Sequence, residues 1–186
     1  YVAKSLNLRS KTVDYVVFTD KIEHIKVNLP GRFSVYNSLG SIAVADLLFV
    51  NRFDTVAALK DFRGVKGRAE VVPNTGDFTV IIDYAHTPDG LKNILKTFKD
   101  CPKNRLIILF GCGGDRDKTK RSIMGEVASI YADYLIITSD NPRTEAPMDI
   151  INDILKGVLP TKPHKVIENR EEAIKFALSI KIVILF

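Results

Sequence analysis

Three groups of residues in this chain carry the side chains that ligand chemistry needs. They are Asp83-Tyr84-Ala85-His86-Thr87-Pro88, Gly111-Cys112-Gly113-Gly114-Asp115-Arg116-Asp117 and Asp140-Asn141-Pro142-Arg143. A carboxylate such as Asp83 can accept both hydroxyls of a ribose, and an imidazole such as His86 can contact a phosphate or relay a proton. The glycine run lets backbone approach a ligand closely, with the N–H groups of the following helix open to an anion and Arg116 pointing into the same crevice. Asp140 to Arg143 combine an acceptor, a two-way amide, a rigid turn and a planar guanidinium. That set could grip a group bearing both an ammonium and a carboxylate, which is an amino acid. Each group also has an ordinary structural use: Asp83 as a helix cap beside a surface His86, the glycines as a turn, Asn-Pro as a turn starter. Lys118, Lys120 and Arg121 read as solvated residues that together raise the local positive potential.

The elements that must position these groups are legible around them. Each group follows an apolar run: Thr79-Val80-Ile81-Ile82, Leu106-Ile107-Ile108-Leu109-Phe110 and Leu135-Ile136-Ile137-Thr138. The interval from Asp83 to Gly111 is 28 residues and from Gly111 to Asp140 it is 29, close to the roughly 30 residues of a strand-helix-strand unit. The three groups are therefore expected side by side at the carboxyl ends of an open parallel sheet, where such sheets bind ligands. Helices are expected at 88–99, 119–131, 147–158 and 170–179, each opening near Pro, Thr, Asp or Asn, with a further strand near 70–72 and a last one over 180–186. The first third reads differently. Residues 13–18 and 22–29 alternate as a hairpin around Thr19-Asp20-Lys21, and Val35, Leu39, Ile42, Ala43 and Leu47 mark a helix over 34–50 that leaves Asn37, Ser38 and Ser41 on its other faces, with Ser34 as its cap. A short helix over 54–61 starts near Asp54 or Thr55, and the glycine-flanked stretch 64–68 marks a domain boundary. His24 and His164 read as strand-edge and loop residues.

Composition narrows the function classes. With 186 residues and 46% hydrophobic content the chain can bury a core as one domain or two. A net charge of +5 and a pI near 9.1 suit an anionic ligand, yet no aromatic residues are interleaved with the basic ones as a single-strand nucleic-acid binder requires. Two cysteines, Cys101 and Cys112, with no paired metal-ligand spacing and no secretory leader, point to the reducing cytoplasm. No apolar run approaches the roughly 20 residues that span a bilayer, and no His/Cys/Asp/Glu constellation has metal-ligand spacing. The third glycine of the dinucleotide fingerprint is replaced by Arg116, which disfavours an NAD-dependent oxidoreductase.

At these same motifs, together with Ile150-Ile151-Asn152-Asp153-Ile154, the sequence resembles the Mur ligase family of cell-wall synthesis, in its meso-diaminopimelate-adding branch. The resemblance covers most of residues 64–158. It implies a Rossmann-like α/β fold, with a mostly parallel open sheet flanked by helices over 70–186 as the amino-acid-binding C-terminal domain. Residues 1–69 would be the end of the α/β ATP-binding central domain. It also implies that Asn37, Arg68, Asp83 and His86 contact the nucleotide, and that Arg116, Asp140, Asn141, Pro142 and Arg143 bind the amino acid. Ser34 stands where the family usually has another asparagine. The phosphate-binding loop and the magnesium ligands are expected upstream of Tyr1, and a Gly-Lys-Gly-His-Glu segment beyond Phe186, so that no catalytic or metal-binding residue is assigned within the fragment.

The implied reaction uses ATP and Mg2+ to turn the D-glutamate carboxylate of UDP-N-acetylmuramoyl-L-alanyl-D-glutamate into an acyl phosphate, which the amine of diaminopimelate attacks. Diaminopimelate ends in a carboxylate as well as an ammonium, so the Arg143 guanidinium can pair with it where lysine's lone ammonium is repelled. A pair of that kind is worth about 1.5–3 kcal/mol, or roughly tenfold to hundredfold preference. The partners expected are small molecules, with no nucleic acid and no membrane insertion, for a monomer that has no ligase activity as this fragment. A related amide ligase of the folylpolyglutamate synthase type, or a non-catalytic amino-acid or nucleotide-binding module, are the alternatives.

Overall fold

In the computed structural model, residues 1–9, 11–19, 22–99, 105–180 and 183–185 are described. The expected turn residues Asp20 and Lys21, Cys101, and residues 181, 182 and 186 of the expected last strand lie outside them. The chain divides into two compact units, Tyr1–Glu70 and Val71–Phe186.

In the first unit, β1 (Val2–Leu8), β2 (Val13–Phe18) and β3 (Ile22–Val27) form an antiparallel sheet in that order. Alternation sends Val13, Tyr15 and Val17 of β2 and Ile25 and Val27 of β3 to one buried face, with Tyr15 opposite Ile25 and Val13 opposite Val27. The strand β1 escapes a period-2 reading because its inward residues change parity, from Ala3 to Leu6 and Leu8. A register shift between Lys4 and Asn7, with Ser5 at φ 52, absorbs the change.

Over this sheet lie α1 (Arg32–Leu47) and α2 (Arg52–Asp61). Val35 and Ile42 of α1 are buried as the pattern predicts, but Leu47 is 77% exposed. Three local expectations are corrected. Ser34 does not cap α1: Gly31 precedes the first turn, and the Ser34 hydroxyl, already inside the helix, donates to the Pro30 carbonyl at 2.7 Å. Ser38 is buried, because the Tyr15 hydroxyl, carried under the helix by β2, needs its oxygen as a partner at 2.7 Å. The cap of α2 is Asn51, whose side chain accepts from the Phe53 N–H at 2.8 Å, so the helix starts before Asp54.

The second unit is built on a six-stranded sheet of β4 (Glu70–Val72), β5 (Val80–Ile82), β6 (Ile107–Phe110), β7 (Tyr134–Ile137), β8 (His164–Val166) and β9 (Val183–Leu185), in the order β4-β5-β9-β6-β7-β8. The pairs from β5 through β9, β6 and β7 to β8 are all parallel. Every residue of β6 and Leu135, Ile136 and Ile137 of β7 are buried, as strands covered on both faces require. The helices are α3 (Pro88–Lys99), α4 (Thr119–Tyr131), α5 (Pro147–Leu155) and α6 (Arg170–Ser179). Ala173 and Ala177 of α6 pack on the face presented by Ile107, Leu109 and Ile136, and α4 packs between α3 and α5.

Three features of this unit differ from expectation. The helix α5 ends at Leu155, where a tight turn takes over, with Gly157 N–H on the Ile154 carbonyl at 3.1 Å. His164 opens β8 instead of lying in a loop. That strand has only three residues on the sheet edge, two of them exposed, so no apolar run announces it. The last strand, β9, inserts between β5 and β6, so the first polar group is one strand away from the second and not its neighbour.

Candidate functional site

The carboxyl ends of β5, β6 and β7 deliver Asp83, Gly111 and Thr138 to one edge of the parallel sheet, the edge where open α/β sheets take ligands. The loops after β6 and β7 are joined there in a seam. A Cβ on Gly111 would lie 2.4 Å from the Thr138 carbonyl oxygen, and one on Gly114 only 1.8 Å from that of Pro142. The Gly114 N–H donates to the Asn141 carbonyl at 2.8 Å. At Gly111 and Gly114, then, the room that glycine provides is filled by backbone of the third group, where the sequence suggested a ligand.

Beyond the glycines the seam becomes ionic. Asp115 accepts at its carboxylate from the Thr144 hydroxyl at 2.6 Å and from the Thr144 N–H at 3.3 Å, and donates its own N–H to Glu145 at 2.7 Å. Glu145 also receives both terminal nitrogens of Arg121, at 2.8 and 3.0 Å, and the Lys118 ammonium at 3.0 Å. Arg121 reaches Asp153 of α5 at 3.0 Å as well. Arg121 was expected in solvent but is fully buried. Glu145 and Asp153 accept its charge on two sides, which makes burial of a guanidinium tolerable. The Arg121 guanidinium, then the Asp115 N–H, then Lys118 hold the Glu145 carboxyl well below the usual carboxylate range. These partners could not be read from pattern, because Glu145 lies in a loop without periodicity and Asp153 is one of several acids on α5.

Arg116 and Arg143 themselves are exposed on the two loops that the seam joins. Arg143 has φ 52, and Asp115 has φ 51, both left-handed for non-glycine residues. Asp140 borders a polar cleft of about 740 Å3 that also includes Glu168, Asn169 and Arg170. Arg170 donates to the Ser139 carbonyl at 3.3 Å, and burial lowers its affinity for the proton while Asp140 raises it. Nothing in its flanking sequence singles it out.

Around the first group, the expected capping role of Asp83 falls to Thr87, whose hydroxyl accepts from the Gly90 N–H at 3.2 Å. Asp83 is half-buried and His86 exposed, with His86 Nδ1 3.1 Å from the Tyr84 carbonyl and the two rings 5.1 Å apart. Lys120 donates to the His86 carbonyl at 3.0 Å, so the first turn of α4 touches this group through Lys120 and the seam through Arg121. Cys112 is buried: burial pushes its thiol up to about 11, which favours the unreactive protonated form, and its Sγ packs 3.7 Å from the Met124 sulfur.

Asn37 and Arg68 belong to the first unit. Asn37 borders a groove of about 530 Å3 between α1 and α2, with Val27, Leu29, Leu59 and Phe62 as apolar walls and Ser38 and Ser41 as hydroxyls. Apolar walls with one amide suit a flat heteroaromatic base. Arg68 is exposed, its N–H on the Val65 carbonyl at 3.0 Å. Among the described residues no cluster of three His, Cys, Asp or Glu is arranged to hold a metal ion. No helix among them is long and apolar enough to cross a membrane.

Residues 67–183 match the family described as "Mur ligase, glutamate ligase domain". The UDP-N-acetylmuramoyl-L-alanyl-D-glutamate–2,6-diaminopimelate ligase 1 of Clostridium acetobutylicum is 46% identical over 183 residues, covering 95% of this chain and 37% of the relative. The corresponding ligase of Caldanaerobacter subterraneus subsp. tengcongensis is 52% identical over 165 residues, 88% of this chain and 34% of its own. A solved structure of a ligase with the same name superposes with a TM-score of 0.71 at 33% identity, covering 98% of this chain and 39% of the other. The chain thus spans little more than a third of the length of these relatives.

Proposed function

The chain belongs to the Mur ligase family, and from that premise we propose that it is the amino-acid-gripping part, with one wall of the ATP site, of a ligase that adds meso-diaminopimelate to UDP-N-acetylmuramoyl-L-alanyl-D-glutamate. The observation that carries this reading is the seam, which holds the loop bearing Asp140, Asn141, Pro142 and Arg143 against the loop bearing Arg116. Both arginines are exposed, while their neighbours Asp115, Asn141, Thr144 and Glu145 are bonded across the seam. In this reading Asp140 and Asn141 take the distal ammonium, Pro142 stiffens the turn, and Arg143 and Arg116 take carboxylates, leaving the other amine free to attack.

Residues 1–69 are then the end of the ATP-binding central domain and 70–186 the amino-acid domain. Asn37 and Arg68 in the first unit, and Asp83, as the ribose-binding carboxylate, and His86 in the second, are the residues assigned to nucleotide contact. ATP supplies the phosphoryl group that activates the glutamate carboxylate, and the magnesium ligands belong to other parts of the enzyme. The protein works in the cytoplasm as a monomer on small molecules, and this chain alone forms no amide.

Calorimetric titration of the chain with meso-diaminopimelate and, separately, with L-lysine tests the proposal. We expect diaminopimelate to bind roughly tenfold to hundredfold more tightly, and Arg143→Ala to erase the preference. Equal affinity for the two ligands in the wild type, or a preference that survives Arg143→Ala, would sink it.

A further inference from the structure

The backbone of Arg143 is in a conformation that bulky residues seldom adopt, and such a conformation persists only where its surroundings over-determine it. Here the surroundings are specific. Arg143 is the second residue of a turn closed by the Glu145 N–H on the Pro142 carbonyl at 3.0 Å. The residue before it is a proline anchored through Asn141 to Gly114, and the two after it, Thr144 and Glu145, are both bonded to Asp115. Of these anchors Glu145 has the most partners: two nitrogens of a buried arginine, one ammonium and one backbone N–H. Such a clamp is more than a core needs, since packing could fill the same space with apolar side chains. What it adds is direction, because each charge-assisted bond constrains the carboxylate, and with it the turn, from a different side.

Resting on the amino-acid reading above, we propose that Glu145 is a positioning residue for ligand selection: held by Arg121, Lys118 and the Asp115 N–H, it locks the left-handed turn that aims Arg143. A free Arg143 would spread its guanidinium over many positions, and the carboxylate of diaminopimelate would have to order it on binding. Lysine lacks that carboxylate, so its affinity does not depend on where Arg143 points. The clamp therefore acts on the preference between the two ligands and not on binding in general.

The test is Glu145→Gln, which removes the charge but keeps the shape and leaves Arg121 its Asp153 partner. Two measurements are made: amide hydrogen exchange at Thr144 and Glu145, whose N–H groups are bonded to Asp115 and to the Pro142 carbonyl, without ligand, and titration with meso-diaminopimelate and L-lysine. We expect exchange to quicken about tenfold and diaminopimelate to bind about tenfold more weakly, with lysine unchanged. Thr144→Val, which loses only the exposed hydroxyl bond to Asp115, should show the same pattern at about threefold and serves if the first variant does not fold. Unchanged exchange, or equal weakening of both ligands, overturns the clamp while the wild-type preference for diaminopimelate still stands. A wild type with no such preference instead sinks the amino-acid reading, and the selection role falls with it.

Discussion

On the proposed reading, with a base in the groove between α1 and α2 and an amino acid at the seam between the loops after β6 and β7, the two regions solve opposite problems. The groove is walled by Val27, Leu29, Leu59 and Phe62, with the Asn37 amide, several hydroxyls and the Asp54 carboxylate among them. The seam is a lattice of Asp115, Thr144, Glu145, Lys118, Arg121 and Asp153. A flat base gains most from leaving water, so apolar walls suffice and orientation needs only an amide. A ligand with two ammoniums and two carboxylates gains little from apolar walls. It must meet charges whose positions are already set, since ordering flexible cations at the moment of binding consumes the attraction.

The contrast can be broken by mutation. The largest effect on folding is expected from Arg121→Met, which leaves Glu145 and Asp153 facing each other without their shared cation. Scanning calorimetry should show the melting temperature fall by roughly 5–10 °C, and an unchanged value would mean the lattice is decorative. Next comes Asn37→Ala, for which titration with a non-hydrolysable ATP analogue should give about tenfold weaker binding and no change in affinity for meso-diaminopimelate. A shift in both ligands would erase the division of labour between groove and seam.

The smallest effect is on pH dependence, and it separates Glu145 from Tyr15 by sign. The folded-state pKa of Glu145 is lowered, chiefly by Arg121. Its contribution is therefore complete above the unfolded value near 4.3 and is lost as pH falls below it. Tyr15, beside Ser38 under α1, is raised chiefly by burial. Its contribution is complete below about pH 10 and is lost as pH rises further. Melting temperatures across pH should thus lose part of their acid slope in Glu145→Gln and part of their alkaline slope in Tyr15→Phe, with Cys112 accounting for more of the alkaline side. Identical acid slopes in wild type and Glu145→Gln would remove Glu145 from the account.

Local chemistry announced much of this architecture. Pro88 and Pro147 open their helices, Asn169 caps α6 by accepting from the Glu172 N–H at 3.1 Å, and the unbroken apolar run of β6 is buried throughout. The failures share a cause. The strand β1 hides behind a parity change at a bulge, β8 is too short and polar to register, and Ser38 is buried because of Tyr15, which is 23 residues earlier. Arg121 is the clearest case. In the string Lys118-Thr119-Lys120-Arg121 nothing separates the arginine from the lysines, yet it alone faces both Glu145, 24 residues on, and Asp153, 32 residues on.

What the sequence determined by itself was the list of parts: three polar groups at the ends of three apolar runs, spaced as strand-helix-strand units, with the types of side chain an amino acid and a nucleotide require. Those follow from short-range rules of periodicity, capping and functional-group chemistry. Only the tertiary structure decided that β9 separates the first group from the second, that the glycines admit backbone at Gly111 and Gly114, and that a buried Arg121 pairs with Glu145 and Asp153. Each of these is a contact between residues distant in the chain, and its energy depends on a geometry that no local window contains.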